Sequence, residues 1–200
     1  MQRIIFLLLT ILVSSCAINK DHSLLNIISW EQHLNKIAQL DHWILQGKIG
    51  YRDSKEGGTA WISWDQQGDD FDVRLSGPLG VGATRITGNE YYAQLQRGAR
   101  QPDTAKSAEE LTELLFGWRW PVKQLRFWVR GIAAPSSSKM ASSYNRDGTL
   151  NSLKQSGWTL QFFDYQEIED WKLPGNIQGN KGAYQFNLKI KKWLPNEGLR

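Results

Sequence analysis

The sequence predicts a mainly β, α+β fold in which one strongly curved antiparallel sheet carries helices over its concave face. The hydrophobic period switches from helical spacing to strict alternation after Leu40, and five alternating segments then follow one another with short connections. Two helical segments interrupt this pattern, and alternation returns at the end of the chain. Strands at both ends of the sequence with helices inserted between them predict a curled sheet under a helical cover.

The first predicted helix runs from Asn26 to Leu40. Its apolar residues recur three or four positions apart, so they form a single stripe on one face of the helix. The stripe consists of Ile27, Trp30, Leu34, Ile37 and Leu40.

The five segments that follow predict consecutive strands of an antiparallel meander. In the first, HWILQGKIGYR, alternate residues from Trp43 to Tyr51 share one face. The others are TAWISWDQ, DFDVRLSG, GATRITG and YYAQLQR. Connections this short cannot hold the crossover that parallel strands need, so neighbours in sequence pair antiparallel.

Two helices are predicted in the middle of the chain. Ser107 and Glu110 form a capping box, and Gly117 ends the first of these helices. Pro121 begins the second, which runs to Gly131. Residues 132–148 are small and polar and predict a flexible loop, after which four segments alternate: LNSLKQSG, WTLQFFDYQ, WKLPGNIQGN and AYQFNLKIKKW.

Composition narrows the functional classes. A chain of 200 residues is long enough for one domain with a hydrophobic core. Its net charge is only +4 and its charged residues are scattered, which argues against a nucleic-acid partner. The single cysteine excludes an intramolecular disulfide. Ten tryptophans either fill the sheet interior or line a cavity for an apolar ligand.

The N-terminus predicts an export signal. MQRIIFLLLTILVSSC has one early arginine and a short apolar run, too short to span a bilayer, and it ends at Cys16. Cys16 is incidental if this is an ordinary signal peptide. The Val-Ser-Ser-Cys sequence, however, resembles the bacterial lipobox, in which the cysteine is acylated, and Ala17 after it favours the outer membrane by the sorting rules of such lipoproteins.

Catalytic and metal-binding constellations are hard to assemble from this sequence. The three histidines lie in or beside the first helix, at spacings that do not put two imidazoles on one helical face. Glutamates 109, 110 and 113 lie near a helix start, where they complement the helix dipole. Neither a G-x-S-x-G elbow nor a phosphate-binding loop is present, so the pattern favours binding over catalysis, without a cofactor or a metal.

The turn SGPLGVG between the third and fourth predicted strands contains an apolar residue where a polar one is expected. Leu79 either folds under the sheet, as most leucines do, or points outward to meet an apolar partner.

With this outline, the chain resembles the LolB family of outer-membrane lipoprotein receptors over essentially the whole mature domain. The resemblance is carried by motifs in a fixed order behind the lipobox: Trp43, Gly47-Lys48-Ile49-Gly50-Tyr51-Arg52, Trp64, Gly77-Pro78-Leu79-Gly80, FGWRWPVKQLRFWVRG, QSGWTLQFFDY, Leu173-Pro174 and LKIKKW. Lys48 departs from the arginine that is common in the family, and the two side chains are not equivalent hydrogen-bond donors.

The resemblance implies an incomplete barrel of about eleven antiparallel strands with a helical lid over a hydrophobic cavity. It implies a non-enzymatic monomer that accepts acylated lipoproteins from the periplasmic carrier LolA and inserts them into the lipid of the outer membrane. In the family, the loop matching Pro78, Leu79 and Gly80 takes part in membrane insertion, which favours an outward Leu79. The residues expected to line the acyl-chain cavity are Trp43, Leu45, Ile49, Ile62, Trp64, Val73, Leu75, Leu115 and Trp128.

The expected organisation is a signal peptide over residues 1–15, a lipidated N-terminus and linker over 16–25, and one lipoprotein-binding domain over 26–200, anchored in the outer membrane of a Gram-negative bacterium and facing the periplasm. Three alternatives remain. A lipocalin-like lipoprotein for a small hydrophobic ligand predicts a closed barrel, an envelope scaffold predicts a filled core, and an enzyme predicts acid and base residues at the cavity mouth.

Overall fold

The computed structural model describes residues 22–77, 82–135 and 138–196. Three helices lie in this part of the chain: α1 (His22–Ala38), α2 (Ala108–Phe116) and α3 (Val122–Trp128). Its strands are β1 (His42–Arg52), β2 (Gly57–Gln67), β3 (Asp70–Ser76), β4 (Thr84–Gly88), β5 (Ala93–Arg97), β6 (Asp103–Ala105), β7 (Lys139–Tyr144), β8 (Leu150–Gln155), β9 (Trp158–Phe163), β10 (Gln166–Ile168), β11 (Trp171–Leu173), β12 (Asn176–Lys181) and β13 (Tyr184–Pro195).

Eleven strands form one curled antiparallel sheet in the order β6-β5-β4-β3-β2-β1-β13-β12-β9-β8-β7, and β10 and β11 form a separate hairpin. The predicted meander is confirmed, since β1 to β5 are consecutive neighbours. β1 also pairs with β13, which joins the two ends of the chain in the middle of the sheet. The outer strands β6 and β7 each pair on one side only, so the barrel is incomplete, as the resemblance implied.

The close pairing of β1 with β13 depends on one glycine. The register between the two strands shifts between Gln46 and Gly47, which marks a β-bulge. A Cβ atom on Gly47 would overlap the backbone carbonyl of Lys189. A side chain is therefore excluded at this point of the seam.

The N-terminal helix begins earlier than predicted. α1 starts at His22, within the segment expected to be a linker, and ends at Ala38 instead of Leu40. The helix ends because Leu40 donates its N–H to Ile37, three residues back, at 3.1 Å, which tightens the last turn. Ile37 and Leu40 are fully buried and Trp30 and Leu34 pack against the core, so these four residues of the predicted apolar stripe face inward.

The N-cap at Ser107 and the C-cap at Gly117 predicted for α2 are confirmed, but the Glu110 carboxylate accepts the N–H of Lys106, at 3.1 Å, where a capping box would have that of Ser107. The Ser107 hydroxyl accepts a hydrogen bond from the N–H of Glu110 at 3.2 Å, and Gly117 adopts the left-handed conformation with φ of 72°. α3 is shorter than predicted, since it begins after Pro121 and ends at Trp128. Beyond it, a tight turn follows in which the N–H of Gly131 donates to the carbonyl of Trp128, with 2.9 Å between nitrogen and oxygen.

The structure corrects the prediction for residues 132–148, because β7 lies within the expected loop. β7 is small and polar, and its pairing with β8 creates the strand where local pattern gives no signal. The hydroxyls of Ser143 and Ser152 lie 2.7 Å apart across this pair, and the Tyr144 ring lies 4.4 Å from that of Trp30. Two further short strands, β6 and β10, were also not predicted, and Pro174 divides the last but one segment into β11 and β12.

Candidate functional site

An apolar cavity of about 300 Å³ lies between the concave face of the sheet and the two central helices. The inward residues of β1, β2, β3, β4 and β13 form its wall, and α2, α3 and the segment between them form its cover. Thr112, Trp120, Val122 and Leu125 come from this cover. We call α2, α3 and the residues between them the lid. The lining is predominantly carbon, so the cavity suits an apolar ligand rather than a charged one.

Five of the residues predicted for the cavity line it. They are Ile49, Ile62, Trp64, Val73 and Leu75, which come from three neighbouring strands. Alternation predicted their face correctly: Trp64 is only 4% exposed, whereas Trp61, three positions earlier, points outward and is 45% exposed.

Trp43, Leu45 and Trp128 are not among the lining residues, which corrects their predicted placement. Trp43 packs between Trp64 and Trp193, at ring separations of 5.3 and 5.5 Å. Trp128 donates its indole N–H to Gln155 at 2.8 Å, in a solid part of the core. Trp43 and Leu45 face inward on β1 as predicted, but their position along the strand places them beside the cavity, and Trp128 lies beside it at the end of α3.

The remaining predicted residues fall outside the described part of the structure. Pro78, Leu79 and Gly80 lie outside the described residues, and so do Cys16 and the side chain of Leu115. The residues on either side of the Leu79 turn are described, however. Gly77 and Gly82 both line the cavity. The chain therefore enters and leaves this turn at the cavity wall, and we call this side of the cavity its loop end.

The Trp64 and Phe71 rings line the opposite side of the cavity, at the β2–β3 turn, where the amide of Gln66 is buried; we call this side the closed end. Trp64 donates its indole N–H to the side chain of Gln66 at 2.9 Å. Gln66 is 3% exposed and donates in turn to the carbonyls of Gly68 and Asp70, at 2.9 and 3.1 Å. The Trp64 indole N–H and the side-chain amide of Gln66 thus both have partners, which stabilises this end of the cavity.

The lid is held together by side chains of α2. Thr112 is buried and its hydroxyl accepts the N–H of Trp120 at 3.0 Å, while Glu109 accepts the N–H of Lys123 at 2.9 Å. Trp120 then contacts the sheet, with its ring 6.1 Å from Phe186. The lid therefore packs on the sheet through this aromatic contact together with buried aliphatic side chains such as Leu111 and Leu125.

One arginine fastens the lid to the closed end. Arg126 of α3 pairs with Asp69 in the β2–β3 turn and with Glu90 in the β4–β5 turn, the second at 3.2 Å. Both carboxylates are more than 40% exposed, so each pair contributes less than about 1 kcal/mol. The two ion pairs that hold the lid at the closed end therefore break at a small cost in free energy.

Arg130 fixes the neighbouring helix rather than the cavity. Its guanidinium is buried and donates to the carbonyls of Ile37 and Leu40 at the end of α1, at 3.3 and 2.6 Å. Burial, together with the positive charge of Arg126, lowers the pKa of Arg130 to about 10, so the group stays charged at neutral pH. A cation at a helix C-terminus complements the helix dipole.

Several lining residues were not assigned from the sequence. Phe71 shares a face with Val73 and Leu75, so strand alternation alone could have found it. Trp120 and Leu125 lie in the lid, and their approach to the sheet depends on tertiary packing that no local pattern reports.

Comparisons with known proteins show to which family the chain belongs. The family model described as outer membrane lipoprotein LolB matches residues 41–193. The chain belongs to the LolB family. The similar proteins are named outer-membrane lipoprotein LolB. The one from Stutzerimonas stutzeri is 37% identical over 193 residues, 94% of this chain and 93% of the relative. The one from Pseudomonas fluorescens is 38% identical over 170 residues, 85% and 82% of the two chains.

Solved structures agree with the LolB assignment at the level of the fold. A LolA superfamily protein from Nitrosomonas europaea matches with a TM-score of 0.52 at 10% identity, over 88% of this chain and 94% of that one. A putative outer membrane lipoprotein-sorting protein domain from Vibrio parahaemolyticus matches with a TM-score of 0.52 at 9% identity, over 87% and 93%.

Within residues 22–77, 82–135 and 138–196, no helix is long and apolar enough to cross a membrane. In the same ranges, no three or more His, Cys, Asp or Glu side chains come together in a way that could hold a metal ion.

Proposed function

We propose that this protein is anchored in the outer membrane through acylated Cys16, accepts acylated lipoproteins from the soluble periplasmic carrier LolA, and inserts them into outer-membrane lipid. The cargo acyl chains lie in the cavity beneath the lid. Residues 1–15 are the signal peptide, residues 16–25 carry the lipid, and residues 26–200 form the domain, which works as a monomer facing the periplasm. The apolar cavity is the observation that carries this proposal.

The energetics explain why such a cavity is needed. A sixteen-carbon acyl chain in water costs about 13 kcal/mol, at roughly 0.8 kcal/mol per methylene. An apolar cavity removes most of that cost, so a chain passes from one cavity to another on small differences in affinity. Transfer of this kind requires neither nucleotide hydrolysis nor any covalent step.

The size of the cavity has a further consequence. About 300 Å³ lies at the lower end of the range for ligand pockets. A lipoprotein with more than one acyl chain needs more space, so the lid moves away from the sheet when cargo enters. The exposed Arg126 pairs at the closed end are weak enough to allow this movement.

The Leu79 turn is proposed as the membrane-insertion loop, formed by Pro78, Leu79 and Gly80. Support comes from its neighbours Gly77 and Gly82, which line the cavity, so a loop dipping into a bilayer there brings acyl chains and lipid together. One leucine entering the bilayer contributes about 1.5–3 kcal/mol, which is too little for an anchor and enough to direct release.

A lipocalin-like function required a closed barrel, whereas in the described part of the chain the outer strands β6 and β7 each pair on one side only and the sheet stays open. The scaffold alternative required a filled core and does not account for the cavity. We therefore retain lipoprotein transfer as the single proposal.

The test is transfer of a labelled lipoprotein from LolA to liposomes by the full-length protein. Leu79→Glu removes the apolar tip, and Leu114→Glu is the matched control because Leu114 is 69% exposed on α2. The Leu79 variant strips cargo from LolA as the parent does, but deposits roughly ten- to a hundredfold less of it in lipid. Failure of the parent protein to remove cargo from LolA would refute the function, and deposition by the Leu79 variant equal to that by the parent would refute the role of Leu79.

A further inference from the structure

The outer, convex face of the sheet carries a cluster of lysines around one exposed tryptophan. Lys189 of β13 lies directly opposite Lys48 of β1, and Lys48 lies opposite Trp61 of β2. Lys191 and Lys192 follow on β13, and both line a groove of about 580 Å³ that also includes Trp61. All five side chains are exposed, and we call them the basic face.

The lysines of the basic face are unbalanced by acids. In the part of the chain that the structure describes, none of the four takes part in an ion pair. The neighbouring row of the sheet is different, because Asp72 pairs with both Arg74 and Arg85 at 2.8 Å. Asp65 lies directly opposite Asp72, so the two arginines of this row are balanced by two carboxylates, unlike the lysines of the basic face.

The opposition of Lys48 and Lys189 is unfavourable for the fold itself. Like charges directly opposite each other on an antiparallel pair lower the stability of the sheet. Folding does not explain why both lysines are present, whereas a negatively charged partner outside the chain does.

Trp61 gives the basic face a second chemical property. Lys191 places its ammonium group 4.5 Å from the centre of the Trp61 ring, and the ring is 45% exposed. An exposed indole beside lysine side chains is typical of proteins that touch the headgroup layer of a membrane, where the ring lies at the boundary and the ammonium groups reach phosphate.

The position of the basic face relative to the Leu79 turn indicates which partner it meets. Trp61 is the register partner of Ser76, the last residue of β3. Ser76, Ala83 and Thr84, which stand on either side of the turn, line the same groove as Trp61 and Lys191. The basic face is therefore continuous with the segment that leads into the turn.

We propose that the basic face docks on the phosphate headgroups of an anionic lipid surface while the adjacent turn enters the bilayer. This inference rests on the proposed function, because it assumes that the Leu79 turn is the part that meets lipid. The four lysines orient the protein on the membrane, so that the loop end of the cavity faces the bilayer.

The test uses the full-length protein purified from membranes and reconstituted in vesicles, without cargo or carrier. Ser63 lines the groove, and Ser63→Cys places one fluorophore there, since Cys16 is the only other cysteine and is blocked by its lipid. The vesicles carry a quencher on a fraction of their headgroups and contain either anionic phosphatidylglycerol or neutral phosphatidylcholine. We expect quenching in the anionic vesicles and little in the neutral ones.

The charge variants are Lys48→Gln with Lys189→Gln, and a matched control with Lys106→Gln and Lys154→Gln, which removes two exposed lysines away from the groove. Each lysine at an anionic surface changes the docked-to-undocked ratio about fivefold, so the first pair lowers it about 25-fold and the control leaves it unchanged. Raising salt to about 0.5 M weakens the contact in the parent by screening.

Several outcomes overturn the inference. Equal quenching in neutral and anionic vesicles would show that the basic face does not respond to the charge of the lipid. An unchanged ratio of docked to undocked protein in the Lys48/Lys189 variant would show the same. If inorganic phosphate suppresses the headgroup quenching more strongly than chloride does at equal ionic strength, the basic face is a site for free phosphate. Binding of an acidic protein with no headgroup contact would indicate a protein partner. Because cargo is absent, each result is independent of the transfer assay, and a protein that transfers cargo without headgroup quenching refutes this inference alone.

Discussion

The indole N–H of Trp64 is held by the side-chain oxygen of Gln66 at 2.9 Å, two residues along the same strand. Both side chains are buried, and they close one end of the cavity. The relationship explains why an amide occurs on the inward face of an otherwise apolar strand: it satisfies the indole and two turn carbonyls at once.

Gln66→Leu is expected to lower the free energy of unfolding by about 1–3 kcal/mol, because it leaves the Trp64 N–H and the turn carbonyls without partners. Urea unfolding measures the effect. Gln67→Leu is the matched control, since Gln67 is exposed and next in sequence. If the two variants unfold at the same urea concentration, the hydrogen-bonded network does not stabilise the closed end.

Gly47→Ala is expected to cost roughly 1–3 kcal/mol of stability or more, because the added methyl meets the Lys189 carbonyl of the backbone, which cannot move freely. Gly50 lies on the same strand, and its added methyl would meet only ordinary contacts at 3.7 Å and beyond. Thermal unfolding of the two alanine variants separates a steric effect from helix or strand preference. Equal melting temperatures would contradict the close approach at the bulge.

Arg126→Gln is expected to loosen the lid without unfolding the protein. Loss of the Asp69 and Glu90 pairs, at about 0.2–1 kcal/mol each, costs about 0.4–2 kcal/mol in all, so amide exchange in α3 should accelerate by up to about 30-fold. Arg119→Gln serves as the control, because Arg119 pairs with Glu113 inside the lid and does not reach the sheet. Similar exchange in both variants would mean that Arg126 does not fasten the lid.

Acid is expected to weaken the contact between the β7–β8 turn and β11. Burial raises the pKa of Asp147, but hydrogen bonds from Lys172 and Thr149 outweigh it and lower the pKa to about 2, against an ordinary value of 3.8. A carboxylate whose pKa is lowered by folding stabilises the fold at pH values above its ordinary pKa. This stabilisation is lost as the pH falls from about 4 to about 2.

The Asp147 side chain is 46% exposed, so solvent screening holds its contribution below about 1 kcal/mol. Melting curves at several pH values test the sign. Asp147→Asn and Lys172→Gln should each flatten the loss of stability between pH 4 and pH 2. A pH profile identical to that of the parent in both variants would rule out this ion pair as its source.

Most of the sheet could be predicted because its strands alternate so regularly. The inward face of β1, β2 and β3 was assigned correctly, and Trp61 and Trp64 were placed on opposite faces. β7 could not be predicted, because a strand of small polar residues is created by its neighbour rather than by its own pattern.

The cavity was harder to predict than the sheet. Alternation tells which face a residue occupies, but not whether the space in front of it is filled. Trp43 and Leu45 face inward like Ile49, yet they pair with Gln66 and Trp64 at the closed end, where rings occupy the space. Trp120 reaches the cavity only because Thr112 holds its backbone, a tertiary contact with no sequence signature.

A photocrosslink shows whether cargo acyl chains occupy the space beneath the lid. A lipoprotein with a diazirine at the end of one acyl chain is transferred from LolA to the full-length protein and irradiated, and the adducts are mapped by mass spectrometry. We expect adducts on lining residues such as Val73, Leu75 and Leu125. Adducts confined to the outer face, around Ser63 and Lys192, or none above the level found with free LolA, would contradict it.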